Sequence, residues 1–259
     1  MKTTNRLIRN LALLTFALAG VVSIGANAEE APPPGVLETW TCSYNPGKDI
    51  DDVLSARDYY VKQAAKAGVD IGPTYLWSLI KGDLPFDLVW LAPHESLAAY
   101  AAAADAQAAA PELSDITARF YDAATCTPRL GETQSVFQRE VPDRGDAPAI
   151  VTAFACGLRQ GVGPADMADL QGHIAEVLGS LGDTAPNTVF AMAPTTGGPN
   201  TPDWLLFSVF DDMSSWAKFV GSLFGSDAGQ QLVRHFGAVA DCDQAIWGSQ
   251  RTIAPPADV

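Results

Sequence analysis

Residues 37–43, LETWTCS, and residues 151–157, VTAFACG, become two versions of one strand when Cys42 is laid on Cys156 and Trp40 on Phe154. The second cysteines follow at nearly equal distances, 84 residues from Cys42 to Cys126 and 86 from Cys156 to Cys242, inside DAATCTPRL and VADCDQAIW. Between them PTYLWSL from Pro73 matches PNTVFAM from Pro186, and DLVWLAPHESLAAY from Asp87 matches DWLLFSVFDDMSSW from Asp203. The longer loop TTGGPNTP before the last match absorbs the change in offset. Matched blocks in the same order are the signature of an internal repeat, so a tandem duplication is expected.

Each copy reads as strand, helix, strand, strand, helix, strand. In the first, Leu37 to Tyr44 is rich in β-formers and NPGKD turns the chain into a helix from Ile50 to Ala67, with an apolar stripe of Ile50, Val53, Leu54, Val61, Ala64 and Ala65. In the second, Met167, Leu170, Ile174, Val177, Leu178 and Leu181 recur at helical spacing, and Pro164 suits an early helical position where its missing amide hydrogen costs nothing. Strands follow at 74–80 and 86–91, then at 187–192 and 204–209. The next helices start near Glu95 and Asp211, acids that suit a helix N-terminus. The first of these holds AAAADAQAAA, read as a thin packing seam rather than a ligand site, because alanine favours helix and close approach. A last strand carries each second cysteine.

That order is the ferredoxin-like unit, an α+β fold in which the first and fourth strands are antiparallel neighbours. It predicts disulfides Cys42–Cys126 and Cys156–Cys242, one in each copy. One face of such a sheet is covered by helices and the other needs a second layer. Trp40, Tyr75, Trp77, Trp90, Phe154, Phe190, Trp204 and Phe207 exceed what the helix side needs, so the two copies are expected to bury their remaining faces together as a pseudo-twofold barrel.

The flanks assign an address. Lys2, Arg6 and Arg9 precede the apolar run Leu11 to Ala26, which is short for a membrane span, and Ala26-Asn27-Ala28 offers small residues for cleavage. The organisation expected is a signal peptide over 1–28, a flexible lead over 29–36, a first unit over 37–138, a linker over 139–148, a second unit over 149–252 and a tail over 253–259. Export to the periplasm or the exterior, with no stable membrane anchor after cleavage, places the cysteines where disulfides persist. The 259 residues, 47% hydrophobic and 18% charged, suffice for a sizeable core. With 16 basic and 30 acidic residues and a formal charge of −14, the chain is acidic and opposes nucleic acid.

The chain resembles the dimeric α/β-barrel superfamily, in particular small exported bacterial proteins with the opening WTCSYNPGKD at 40–49 and the strand DLVW at 87–90, over residues 37–252. The resemblance implies that a barrel usually made by two chains is made here by one duplicated chain. The superfamily includes small-molecule oxygenases, isomerases, decomposing enzymes, haem-associated members and proteins without established catalysis. No catalytic residue can be carried over to this sequence.

Chemistry is sparse in the residues themselves. HExxH, GxSxG and GxxxxGK motifs are absent, the cysteines form no CxxC pair, and no metal site is expected. His94 stands before the second helix, where the other copy has Phe210, and is a candidate acid or base. A surface or helix-capping role is its plain alternative. Tyr44 is a second proton-transfer candidate. His173 and His235 read as surface, interface or helix-end residues. Trp77, Trp90 and Trp204, with Tyr44, are candidates to line a ligand chamber between the sheets, against a simple core role. The leading expectation is an exported protein binding a hydrophobic or aromatic small molecule, without a cofactor. The alternatives are a cofactor-independent or haem-associated enzyme, and a structural or protein-interaction module. Higher oligomers are left open.

Overall fold

A computed structural model describes residues 35–141, 147–196, 198 and 201–253. The leader, the lead up to residue 34, residues 142–146 of the linker and residues 254–259 of the tail lie outside them. Among the described residues no helix is long and apolar enough to cross a membrane.

The chain opens with β1 (Gly35–Tyr44), α1 (Ile50–Ala67), β2 (Thr74–Lys81), β3 (Leu88–His94) and α2 (Leu97–Ala109), followed by α3 (Ile116–Ala123) and β4 (Ala124–Gln138). The same order recurs in β5 (Ala149–Leu158), α4 (Pro164–Ser180), β6 (Thr188–Pro194), β7 (Trp204–Phe210), α5 (Met213–Gly225), α6 (Asp227–Val239) and β8 (Ala240–Ile253). The expected six-element unit therefore needs correction: α3 and α6 are separate helices inserted before the last strand of each half. The second helices also start later than Glu95 and Asp211. Ser96 caps α2 by accepting from the Ala99 amide at 3.2 Å, and Asp212 caps α5 by accepting from the Ser215 amide at 2.7 Å.

Local chemistry sets α1. Asp49 accepts from the Asp51 amide at 3.0 Å while Asp52 accepts from the Asp49 amide at 3.1 Å, and Gly68 in a left-handed conformation ends the helix. Its buried positions are Val53, Ala56 and Ala64; Val61 and Ala65, expected in the stripe, face outward.

All eight strands form one closed barrel in the order β1-β3-β2-β8-β5-β7-β6-β4. Two long strands close it: β4 pairs with β1 of its own half and β6 of the other, and β8 pairs with β5 and β2. The fourth strand is thus not a sheet edge, and the barrel leaves no strand unpaired on either side. Register sets Cys42 opposite Cys126 and Cys156 opposite Cys242, and both disulfides form with Cα atoms 4.1 Å apart.

Strand parity sorts the core into three clusters. Leu37, Trp77, Val89, Leu91, Val151, Met192, Phe207, Ala245 and Trp247 pack together inside the barrel, with Trp77 edge-on to Phe207 at 5.2 Å. Cys42, Leu76, Leu88 and Trp90 lie on the outer face under α1 and α3. Cys156, Val189, Trp204 and Leu206 lie under α4 and α6 with Leu170, Ile174 and Leu232. Close packing makes some joints intolerant. At Gly229 in the first turn of α6 a β-carbon would overlap the Leu223 carbonyl. Gly229→Ala is expected to cost about 1 to 3 kcal/mol by forcing α5 and α6 apart; a chemical denaturation midpoint equal to that of the parent would count against this packing.

Candidate functional site

Outward-facing residues of β1 and β3 form the floor of the site. In β1 these are Glu38, Trp40 and Cys42, and in β3 they are Trp90, Ala92 and His94. The pairing Val36 to His94, Glu38 to Ala92 and Trp40 to Trp90 places them as neighbours on one surface. Helices α1, α2 and α3 overlie that surface and bound a partly open cavity of about 270 Å³ with Tyr60, Tyr100, Ala103, Ala104, Gln107 and Phe120 in its walls and roof.

The cavity exists because of side-chain size. The sequence match places Phe219 of α5 opposite Ala103 of α2, Leu223 opposite Gln107, Ile174 opposite Tyr60 and Phe210 opposite His94. In the second half Phe219, Leu223 and Ile174 join the packed cluster, and Phe210 is buried against Phe219 at 5.2 Å. Side chains fill there what alanine leaves open in the first half. The alanine tract therefore roofs a cavity, with Ala103 and Ala104 in its lining.

Two ionisable groups meet in it. Glu38 Oε2 lies 3.9 Å from His94 Nε2, and both side chains are mostly shielded, at 19% and 17% exposure. That nitrogen is buried without a hydrogen-bond partner, and a buried polar atom left so is costly. Burial raises the Glu38 carboxyl from 4.5 to about 7 and holds the His94 imidazole below its usual range, in each case because the charged form loses water. Burial pushes the Tyr60 hydroxyl up to about 12, with Glu38 adding to the shift and a hydrogen bond with the Gln107 side chain opposing it. Tyr100 is raised by burial and by Glu38, and its ring meets His94 edge-on at 5.3 Å. Burial thus shifts each of these four groups toward its uncharged form.

The residues expected from sequence do not converge. His94 is in the cavity, but Tyr44 sits at the opposite end of β1, where its amide donates to Asp87 at 2.9 Å. Trp90 lines the cavity, Trp77 is inside the barrel and Trp204 belongs to the outer layer of the other half. The barrel interior between the two halves is occupied by the Trp77, Phe207 and Trp247 cluster, so the three tryptophans share no chamber. His173 and His235 lie on α4 and α6, with their Nδ1 atoms 3.0 Å apart. Glu38 was missed, although its place two residues before Trp40 and four before Cys42 puts an acid on the same face as both.

No group of three or more His, Cys, Asp or Glu among the described residues is arranged to hold a metal ion. Haem iron takes an axial ligand such as imidazole, and the haem propionates need donors. His94 offers an imidazole, but the Glu38 carboxylate stands 3.9 Å from its free nitrogen, no Lys or Arg lines the cavity, and its volume of about 270 Å³ is small for a macrocycle. These residues do not fit haem as they are arranged.

Neither a protein-family profile nor a curated protein sequence matches the chain. Solved structures do. A candidate monooxygenase from Fusobacterium nucleatum subsp. nucleatum superposes with a TM-score of 0.55 at 14% identity, covering 88% of this chain and 97% of that one. An anthrone oxidase-like protein gives 0.51 at 13%, covering 88% and 98%. A dye-decolorizing peroxidase from Bacteroides thetaiotaomicron gives 0.51 at 8%, covering 85% and 94%. At such identities the likeness establishes the fold, an α+β barrel resembling the dimeric α/β-barrel proteins.

Proposed function

We propose that the chain is a small-molecule enzyme in which Glu38 exchanges a proton with an aromatic substrate held under the alanine roof of the first half. The observation that carries this reading is the convergence of Glu38 and the unpartnered Nε2 of His94 on one shielded cavity. A carboxyl titrating near 7 is matched to general acid–base work at neutral pH. Neutral His94 can accept or donate one hydrogen bond, and Tyr60 and Tyr100 can only donate to a substrate oxyanion while they keep their protons.

The oxidase-like and monooxygenase descriptions of structurally similar proteins support one reaction class. Glu38 takes a proton from an activated CH2 group flanked by aromatic rings or a carbonyl. The resulting anion gives its electrons to dioxygen, and the carbon becomes a carbonyl while the second oxygen atom leaves as water. The leader pattern and the two disulfides support action outside the cytoplasm, in the periplasm or beyond. The repeated element order and equal cysteine registers support descent of the two halves from one duplicated unit.

Dioxygen uptake and product formation on a panel of anthrones, hydroxyaromatics and arylalkylamines test the assignment. Ala103→Phe, which copies the filled half, is expected to abolish binding and turnover while leaving the melting temperature equal or higher, since the new ring enters open space. Binding without product at catalytic excess leaves a binding protein using the same cavity. No binding by any compound, or turnover unchanged in Ala103→Phe, overturns the assignment of the site.

A further inference from the structure

Charge complementarity in the cavity narrows what it accepts. The lining holds one carboxyl group and no Lys or Arg. Once ionised, Glu38 faces a wall of Trp40, Trp90, Tyr60 and Tyr100 with His94 as its only ion-pairing neighbour among the described residues, at 3.9 Å. A buried charge is tolerated when it is paired, and here the protein supplies no permanent cation to pair it. An anionic ligand would add a second unpaired negative charge. A cationic one would complete the pair, and the aromatic faces around it attract positive charge in their own right. The formal charge of −14 over the whole chain acts in the same direction at longer range, gathering cations and repelling anions.

We propose that the substrate of this cavity is an aromatic amine entering as a primary or secondary ammonium ion, its N–H groups on the Glu38 carboxylate and its ring against the tryptophans of the floor. The inference rests on the reading of the cavity as the reactive site and assigns the substrate class. Binding itself breaks no bond: the ammonium ion keeps its protons and pairs with the Glu38 carboxylate, which stays ionised for the carbon–proton step. Burial raises the Glu38 carboxyl toward 7, and no Lys or Arg in the lining opposes that rise. The other half has Thr152 in place of Glu38 and Phe210 in place of His94, so this charge preference belongs to one half.

The test uses the chain from Glu29 onward with both disulfides formed, at pH 8, and three ligands of one shape: phenethylamine as the cation, 2-phenylethanol as the neutral form and phenylacetate as the anion. Calorimetry is expected to show the amine binding at least about tenfold tighter than the alcohol, and the anion weakest. In Glu38→Gln the amine is expected to fall to the affinity of the alcohol, whose own binding stays within about twofold, since the isosteric amide keeps the shape and removes the charge. Retained alcohol binding also shows that the variant has kept its cavity. An alcohol as tight as the amine, or an amine preference that survives Glu38→Gln, overturns the ammonium assignment. In that case alcohol binding that is lost in Ala103→Phe still upholds the acid–base cavity, whereas failure of all three ligands rejects both.

Discussion

Glu38→Gln is expected to make the protein more stable at pH 8 and almost inactive. General acid–base groups contribute about 10² to 10⁴ in rate, so turnover on any substrate of this site should fall at least about a hundredfold. The stability gain follows from the direction of the shift. Burial raises the folded carboxyl from 4.5 to about 7, so between those values the folded chain holds a proton that the unfolded chain has released. Stability associated with Glu38 is therefore complete below about 4.5 and is lost as the pH climbs through about 7. One pKa unit corresponds to about 1.4 kcal/mol, and the shift would cost about 3 kcal/mol above neutrality. Water reaching the 19% of the side chain that is exposed reduces the penalty to about 2 kcal/mol. Gln removes it, so the variant should match the parent at pH 4 and exceed it at pH 8. Urea unfolding at both pH values reads the difference. An equal change at the two, or a variant less stable at pH 8, would show that Glu38 is not held in a desolvated site.

Loss of the Cys156–Cys242 bridge is expected to have the largest effect on stability, about 4 kcal/mol, because it closes a loop of 86 residues in the unfolded chain. Cys156 is wholly buried in the packed layer of the second half, among Leu170, Trp204 and Leu232 and away from the lining of the Glu38 cavity. The double variant Cys156→Ala, Cys242→Ala should therefore unfold at much lower denaturant while binding the ligand of the first half as the parent does, under conditions where it is folded. Removing Cys42 and Cys126 releases a loop of similar length, 84 residues, but both cysteines also line the cavity. That pair of substitutions should weaken ligand binding as well. Equal binding losses in the two variants would mean that the halves are coupled through the barrel rather than independent.

The spacing of cysteines and strands made the recurring element order, both disulfide pairings and the bounds of α1 readable from residues alone. Periodicity and caps are local signals, and Asp49, Gly68 and the stripe around Val53 carry them. Helix α3 was not readable because ITARFYDA is only eight residues long and follows an alanine tract that masks its start. Part of α6 was legible, since QQLVRHFGA at 230–238 reads as a short helix with His235 near its end. The chamber failed for a different reason. Counting tryptophans says how much aromatic surface is available but not which way it faces. Pairing decides that: Trp77 lies opposite Val89 and turns inward, while Trp90 lies opposite Leu76 and turns outward. Glu38 escaped notice because an acid in a strand reads as solvent-facing, and only the helices over β1 reveal that it is covered.

Carrying both halves of the barrel on one chain has a genetic consequence. In a barrel built by two identical chains, every substitution appears twice, so a residue that opens a cavity on one side opens it on the other and its stability cost is doubled. Here a codon change acts once. Phe219 can fill its layer while Ala103 leaves the other hollow, and Phe210 can be a core residue where His94 is a polar one. The filled half is free to serve as the rigid foundation of the hollow one, through the one long strand that each half lends to its neighbour. Substitutions that shape the cavity and substitutions that tighten the packing then fall on different stretches of the same gene.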